Sequence, residues 1–118
     1  TGYGEDMAKA EALQPLHSNA TSAVFVLPDE TWARRVSGVY SNDLATENPE
    51  RAHAVLTLKD NGNYLVRVRA PMIKKSGAAE LCMQFPTGGG RAGAAGINDL
   101  PADTLQGFID AFEQAYSA

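Results

Sequence analysis

The chain has 118 residues, 44% hydrophobic and 20% charged, with ten Lys and Arg against fourteen Asp and Glu, for a net charge of 10 − 14 = −4. This is the length of one domain with a core that needs no metal or disulfide staple. The acidic balance excludes a generic nucleic-acid coat, although unevenly placed cations can still form a small basic patch. A lone cysteine, Cys82, excludes an intrachain disulfide and a thiolate zinc cluster, and fits a reducing, cytoplasmic setting.

Residues 1–20 are mixed and polar and read as a linker or N-terminal extension. Within them, Glu5–Gln14 has the makings of a short helix that Pro15 stops. Ala23–Leu27 is an unbroken, strand-sized run of apolar residues and predicts a buried strand. Trp32, Val36, Val39 and Tyr40 then recur at helical spacing, which predicts a helix over about 30–45. Ser41–Pro49 reads as a polar loop. Ala54–Leu58 and Tyr64–Arg69 flank Asp60-Asn61-Gly62-Asn63, and Asn-Gly between two β-rich runs predicts a hairpin. Alternation along the second strand puts Arg67 and Arg69 on one side, with Cα atoms roughly 6.5 Å apart. Such a pair is also what the solvated face of a sheet looks like.

Gly77–Met83 predicts a turn or two of helix, and Cys82 within it reads as a small core residue. Ile97-Asn98 reads as a last short strand. Pro101 opens a final helix, whose missing N–H costs nothing there. Leu105, Phe108, Ile109, Phe112 and Tyr116 form its core-facing stripe. The expectation is an α/β domain: a small mixed β-sheet with flanking helices. No run is apolar for long enough to cross a membrane or to serve as a signal peptide.

Five of the eleven glycines fall within Gly88–Gly96, in the run Gly88-Gly89-Gly90-Arg91-Ala92-Gly93-Ala94-Ala95-Gly96. A backbone stripped of side chains can approach a ligand closely. The expectation is a glycine-rich loop leading into a helix N-terminus, whose free N–H groups favour an anion. Arg91 adds a planar, permanently charged fork of donors. Gly88, Gly90 and Gly93 satisfy G-x-G-x-x-G, but no βαβ unit follows, and Glu113, at the distance of the ribose-binding acid, lies in the terminal helix. No G-K-[ST] ending makes a P-loop. The acyl-coenzyme-A loop spacing fails because Thr87 and Ala94 stand three residues after Gln84 and Arg91. His17 reads as a solvated residue and His53 as a surface or edge residue at a strand start. No nucleophile elbow, paired carboxylates or metal-ligand spacing appears. The residues fit binding of a phosphate and carry nothing that would hydrolyse one.

The glycine run resembles the GGGH-x-x-AAG signature of the DHH-associated domain, the C-terminal substrate-binding domain of DHH phosphoesterases. These include RecJ-like exonucleases, oligoribonucleases and exopolyphosphatase-related proteins. Val66-Arg67-Val68-Arg69-Ala70 is similar to the family's V-S-L-R-S strand, with Arg69 on the arginine that contacts substrate phosphate. The likeness covers the chain from about residue 21 to 118. It departs where Arg91 replaces the loop histidine and where Arg67 and Ala70 replace the serines. Arginine can bind the same phosphate but cannot serve as an acid or base near neutral pH.

The resemblance implies that this chain, which starts at Thr1 rather than a methionine, is a C-terminal fragment that is not catalytic alone. It implies a missing N-terminal catalytic domain with two divalent metals, manganese or magnesium, that hydrolyse a phosphoester. This chain would have no cofactor or metal of its own. It would hold the phosphates of a nucleotide or short single-stranded oligonucleotide through Gly88, Gly89, Gly90, Arg91, Arg69 and Arg67, with Lys74 and Lys75 extending the patch. Two alternatives keep the fold. One takes inorganic polyphosphate, because only Phe85 and Tyr64 stand near the loop as base-stacking aromatics. The other is a docking or oligomerisation module, including a homodimer, in which the glycines serve packing and Trp32, Arg34 and Arg35 lie at the interface.

Overall fold

In the computed structural model, which describes residues 2–117, the elements run α1 (Gly2–Glu11), β1 (His17–Ser18), β2 (Ser22–Leu27), α2 (Thr31–Glu47), β3 (Ala52–Leu58), β4 (Tyr64–Arg69), α3 (Ala78–Cys82), β5 (Gly88–Gly90), β6 (Ala94–Leu100), a 3₁₀ turn (Ala102–Thr104) and α4 (Leu105–Ala115). The six strands form one sheet in the order β1-β2-β3-β4-β6-β5. Only β2 and β3 are parallel, joined by the crossover helix α2, and every other neighbouring pair is antiparallel. The mixed α/β architecture is the one the alternation of strand-like and helical runs implies. The edge strands β1 and β5 have two and three residues.

Each face of the sheet has its own core. On one face Ala52, Ala54 and Leu56 of β3 and Val66 and Val68 of β4 pack against Leu81 of α3 and Phe108 and Phe112 of α4. The phenylalanines of the α4 stripe are fully buried, worth about 1.5–3 kcal/mol each. On the other face Ala23, Phe25 and Val55 pack against Met7 and Ala10 of α1 and Val36 and Tyr40 of α2. The helix expected over Glu5–Gln14 thus forms slightly earlier, over Gly2–Glu11.

Three expectations are corrected. The polar run after Ser41 is not a loop: α2 continues to Glu47, because the small residues Ser41 and Ala45 are buried on its inner side. His53 is neither a surface nor an edge residue. It lies in central strand β3, fully buried, between Ala23 of β2 and Arg69 of β4. The glycine run does not lead into a helix N-terminus; Gly88–Gly90 and Ala94–Leu100 are strands β5 and β6, paired as a hairpin. Its turn closes where Arg91 N donates to Ala94 O (2.8 Å), and the turn carbonyls of Gly93 and Ala92 accept from Ala70 and Ala78 (3.0 Å each). No helix among the described residues is long and apolar enough to cross a membrane.

Candidate functional site

Helix α2 lies over β3 and reaches β4 but stops short of the far end of the sheet, so one face of β6 and β5 stays open beside it. The register fixes what that face displays, since directly paired residues share a side. One row across the strands is Val55, Arg67, Gly96 and Gly89; the next is His53, Arg69 and Ala94. The open floor is therefore made of Gly89, Gly96 and Ala94, with two arginines rising beside it. The expected side-by-side pair on β4 is present, facing a cleft beside α2.

The cleft has two adjoining lobes. One, of about 400 Å³, is bounded by Arg67, Arg69, Gly89, Gly90, Arg91 and Asn98. The other, of about 350 Å³, is bounded by Arg69, Arg91, Lys75, Gly93, Met72 and Asn42 of α2. Arg69 and Arg91 belong to both. Arg67 is steadied from α2: its Nε donates to Ser37 Oγ (3.2 Å), and its guanidinium lies over Gly38, close enough for ordinary contact with an added Cβ. Its remaining N–H groups are free to donate elsewhere.

The charges are uncompensated. Among the described residues, the ion pairs join His17 to Glu113, Arg34 to Asp29, Arg35 to Asp6 and Lys59 to Asp99. None involves Arg67, Arg69, Arg91 or Lys75. Four cations without carboxylate partners thus border one cleft in a chain of net charge −4. Guanidiniums of this kind match an anion with several acceptor oxygens, such as a phosphate or carboxylate.

Five of the six residues singled out from the sequence come together here: Gly89, Gly90, Arg91, Arg69 and Arg67. Gly88 does not. Its Cβ position would lie 1.7 Å from the Cys82 carbonyl oxygen, so this glycine lets β5 pack against α3 on the opposite side of the sheet. Gly90 takes a φ of +140°, which only glycine adopts without strain, and Gly96 passes close to the Val66 carbonyl oxygen, 2.5 Å from an added Cβ. Part of the glycine run is thus required by packing. Gly89 is different: nothing lies within 4 Å of an added Cβ, and it faces the cleft.

Of the other residues weighed from the sequence, Lys75 borders the cleft, whereas Lys74 borders a separate one. Phe85 packs edge-on against Phe108, ring centroids 5.7 Å apart, and Tyr64 packs against the same core. Neither borders either lobe. Trp32 is half-buried against the core beneath α2, under Lys9 Nζ at 5.5 Å. Asn42 was missed, but its signal was present. Asn42 and Ala45, three residues apart on α2, are polar and small, the mark of a helix side with room beside it.

Below the cleft, His53 is held neutral. Burial, helped by the Arg51 charge, lowers its pKa to about 4. Arg51 Nε donates to its Nε2 (3.3 Å), which leaves the ring proton on Nδ1, a buried atom with no partner among the described residues. Burial pushes the Cys82 thiol up to about 11, in keeping with a packing role. Among the described residues, no three His, Cys, Asp or Glu side chains gather as a metal ion would require.

No protein-family model matches the chain, and no curated protein does. Among solved structures, it is similar to an exopolyphosphatase-related protein from Bacteroides fragilis, with a TM-score of 0.64 and 19% identity. The match covers 97% of this chain and 34% of that protein, so the chain spans about a third of its neighbour's length. At this identity the likeness shows a shared fold. It supports the resemblance carried by the glycine signature at that level.

Proposed function

We propose that this chain is the substrate-binding part of a phosphoesterase. It grips the phosphate of a nucleotide or short single-stranded oligonucleotide in the cleft between α2 and the β4-β6-β5 floor. The observation that carries this reading is the convergence of Arg67, Arg69 and Arg91 on a floor of glycine and alanine, with no carboxylate among the described residues paired to any of them. A bare floor lets a tetrahedral anion sit against the backbone. The arginines supply forked, charge-assisted hydrogen bonds. Among the described residues that border the cleft none is a carboxylate or a histidine, so these residues hold and orient the substrate. Hydrolysis belongs to a catalytic domain outside this chain, where the family resemblance puts two divalent ions.

A ligand without a base, such as inorganic polyphosphate, is the second reading. It is favoured by the position of Tyr64 and Phe85, which pack in the core and offer no stacking platform in either lobe. The test is calorimetric titration with a 5′-phosphorylated dinucleotide at low and moderate salt, beside Arg91→Ala. Salt-sensitive heat that the substitution abolishes is the expected result. Equal heats for both proteins would overturn the reading. Competition with pyrophosphate separates the two ligands.

A further inference from the structure

We infer that the Asn61-Gly62 pair at the tip of the β3–β4 hairpin is a site of spontaneous covalent modification, deamidation of Asn61, and that Asp99 of β6 is the residue that holds it in check.

The reaction needs only the chain and water. The backbone nitrogen of Gly62 attacks the side-chain carbonyl carbon of Asn61, and the new C–N bond closes a five-membered succinimide. The side-chain amide C–N bond breaks, and its nitrogen leaves as ammonia with the proton given up by the Gly62 amide. Water then opens one of the two ring C–N bonds, which leaves aspartate or isoaspartate at position 61. Nothing is oxidised or reduced. Crowding at the following residue limits the attack, and glycine, without a Cβ, crowds least. Of the six asparagines only Asn61 precedes glycine; the others precede Ala20, Asp43, Pro49, Tyr64 and Asp99.

The turn itself requires this labile pair. Gly62 takes a φ of +86°, where a side chain would be strained. Asn61 Oδ1 accepts from Asn63 N (2.9 Å), which shapes the turn ahead of β4. Both residues are exposed, so water reaches them.

The folded turn opposes the reaction at each reacting group. The attacking nitrogen, Gly62 N, is engaged as a donor to Lys59 O (3.0 Å). The carbonyl oxygen of the Asn61 amide is held by Asn63 N. The departing amine, Nδ2, donates to Asp99 Oδ1 (3.2 Å). Ring closure breaks all three contacts. The first two lie within the hairpin, and Asp99 supplies the third from another strand. Its carboxylate is itself fixed, by Lys59 Nζ at 2.9 Å and by Asn63 Nδ2 at 3.3 Å from each oxygen. Hydrogen bonds from Lys59, Asn61 and Asn63 hold its carboxyl below the usual carboxylate range. The product would turn this anchor into a repulsion, with two carboxylates facing each other and Lys59 shared between them. The same network ties the hairpin to β6 through Lys59 Nζ on Asn98 O, and to the turn before α4 through Ala102 N on Asn63 Oδ1 (3.1 Å each).

The test incubates the whole chain at mildly alkaline pH, folded and in urea, and follows every asparagine by peptide mapping and mass spectrometry. In urea Asn61 should convert first. In the folded chain it should convert more slowly by about tenfold or more, the scale set by the hydrogen bonds that must break. Asp99→Ala should return most of that factor. Arg35→Ala, which loosens the fold at Asp6 and not at the turn, should return none of it. Asn61→Asp, which mimics the product, should lower the urea midpoint, and adding Asp99→Asn should restore it. Another asparagine converting first in urea would overturn the site. A folded rate equal to that in urea, or equal acceleration by Asp99→Ala and Arg35→Ala, would overturn the protection by Asp99. So would an Asn61→Asp midpoint equal to the wild-type value.

Discussion

Two arginine pairs in this chain have opposite surroundings. Arg34 and Arg35 lie on α2, and each has a carboxylate: Asp29 and the nearly buried Asp6. Arg67 and Arg69 lie on β4, facing a cleft, with no carboxylate in range among the described residues. In the first pair, Arg34 holds the start of α2 to the turn before it and Arg35 reaches a second helix. Arg35 makes two hydrogen bonds to Asp6, at 2.9 and 2.7 Å, and so fastens α2 to α1. The second pair leaves like charges side by side, with no carboxylate among the described residues to offset them.

The comparison breaks most sharply if the β4 arginines prove structural. Arg69→Ala and Arg91→Ala should each lower affinity for tripolyphosphate by about ten- to a hundredfold, and the double variant should abolish measurable heat, because each loses contacts to a charged group. Their urea midpoints should stay near the wild-type value. A large fall in either midpoint would move these arginines into the folding class.

His53 sharpens the boundary between the two regions, since it sits in the sheet beside Arg69. Its folded pKa of about 4 lies below its ordinary value, so the unfolded chain takes up the proton first. The stability conferred by its neutral burial is complete above about pH 6.5 and falls as the pH drops toward 4, by on the order of 3 kcal/mol at most. Urea unfolding at pH 7 and pH 4.5 measures this, and His53→Gln should flatten that part of the profile.

The α2 pair carries the smaller effects. Arg35→Ala should cost about 2 kcal/mol in unfolding free energy, since Asp6, with its side chain only 4% exposed, loses its partner. Phosphate binding should not change. Arg34→Ala should cost under about 0.5 kcal/mol, because that pair is solvated. If Arg35→Ala weakened binding as much as Arg69→Ala, the contrast between the regions would collapse.

What the sequence revealed divides along local and non-local lines. The β3–β4 hairpin was legible because its signal, Asn61-Gly62 between alternating strands, is contained in a few residues. The α4 stripe was legible because burial repeats along one helix. The glycine run was misread because its β structure has no local cause: it contains no β-branched or aromatic residue. Its glycines answer to the Cys82 and Val66 carbonyls, which are brought near only by the fold. His53 was misplaced for the same reason, since nothing adjacent in sequence says that β2 and β4 will flank it. The arginines themselves could be picked out one by one. Their meeting with Lys75 and Asn42 could not, because it depends on β6 pairing between β4 and β5 and on α2 running one turn past its apolar stretch.

The sheet ends in strands of two and three residues. A free edge is an invitation to another chain, and its strength grows with the number of backbone groups it offers. Edges this short give an intruding strand only a few hydrogen bonds. They guard against edge-to-edge fibre growth even though β5 is built of three glycines with no charged side chain to repel a newcomer. Extending the sheet from one copy to the next would therefore gain little.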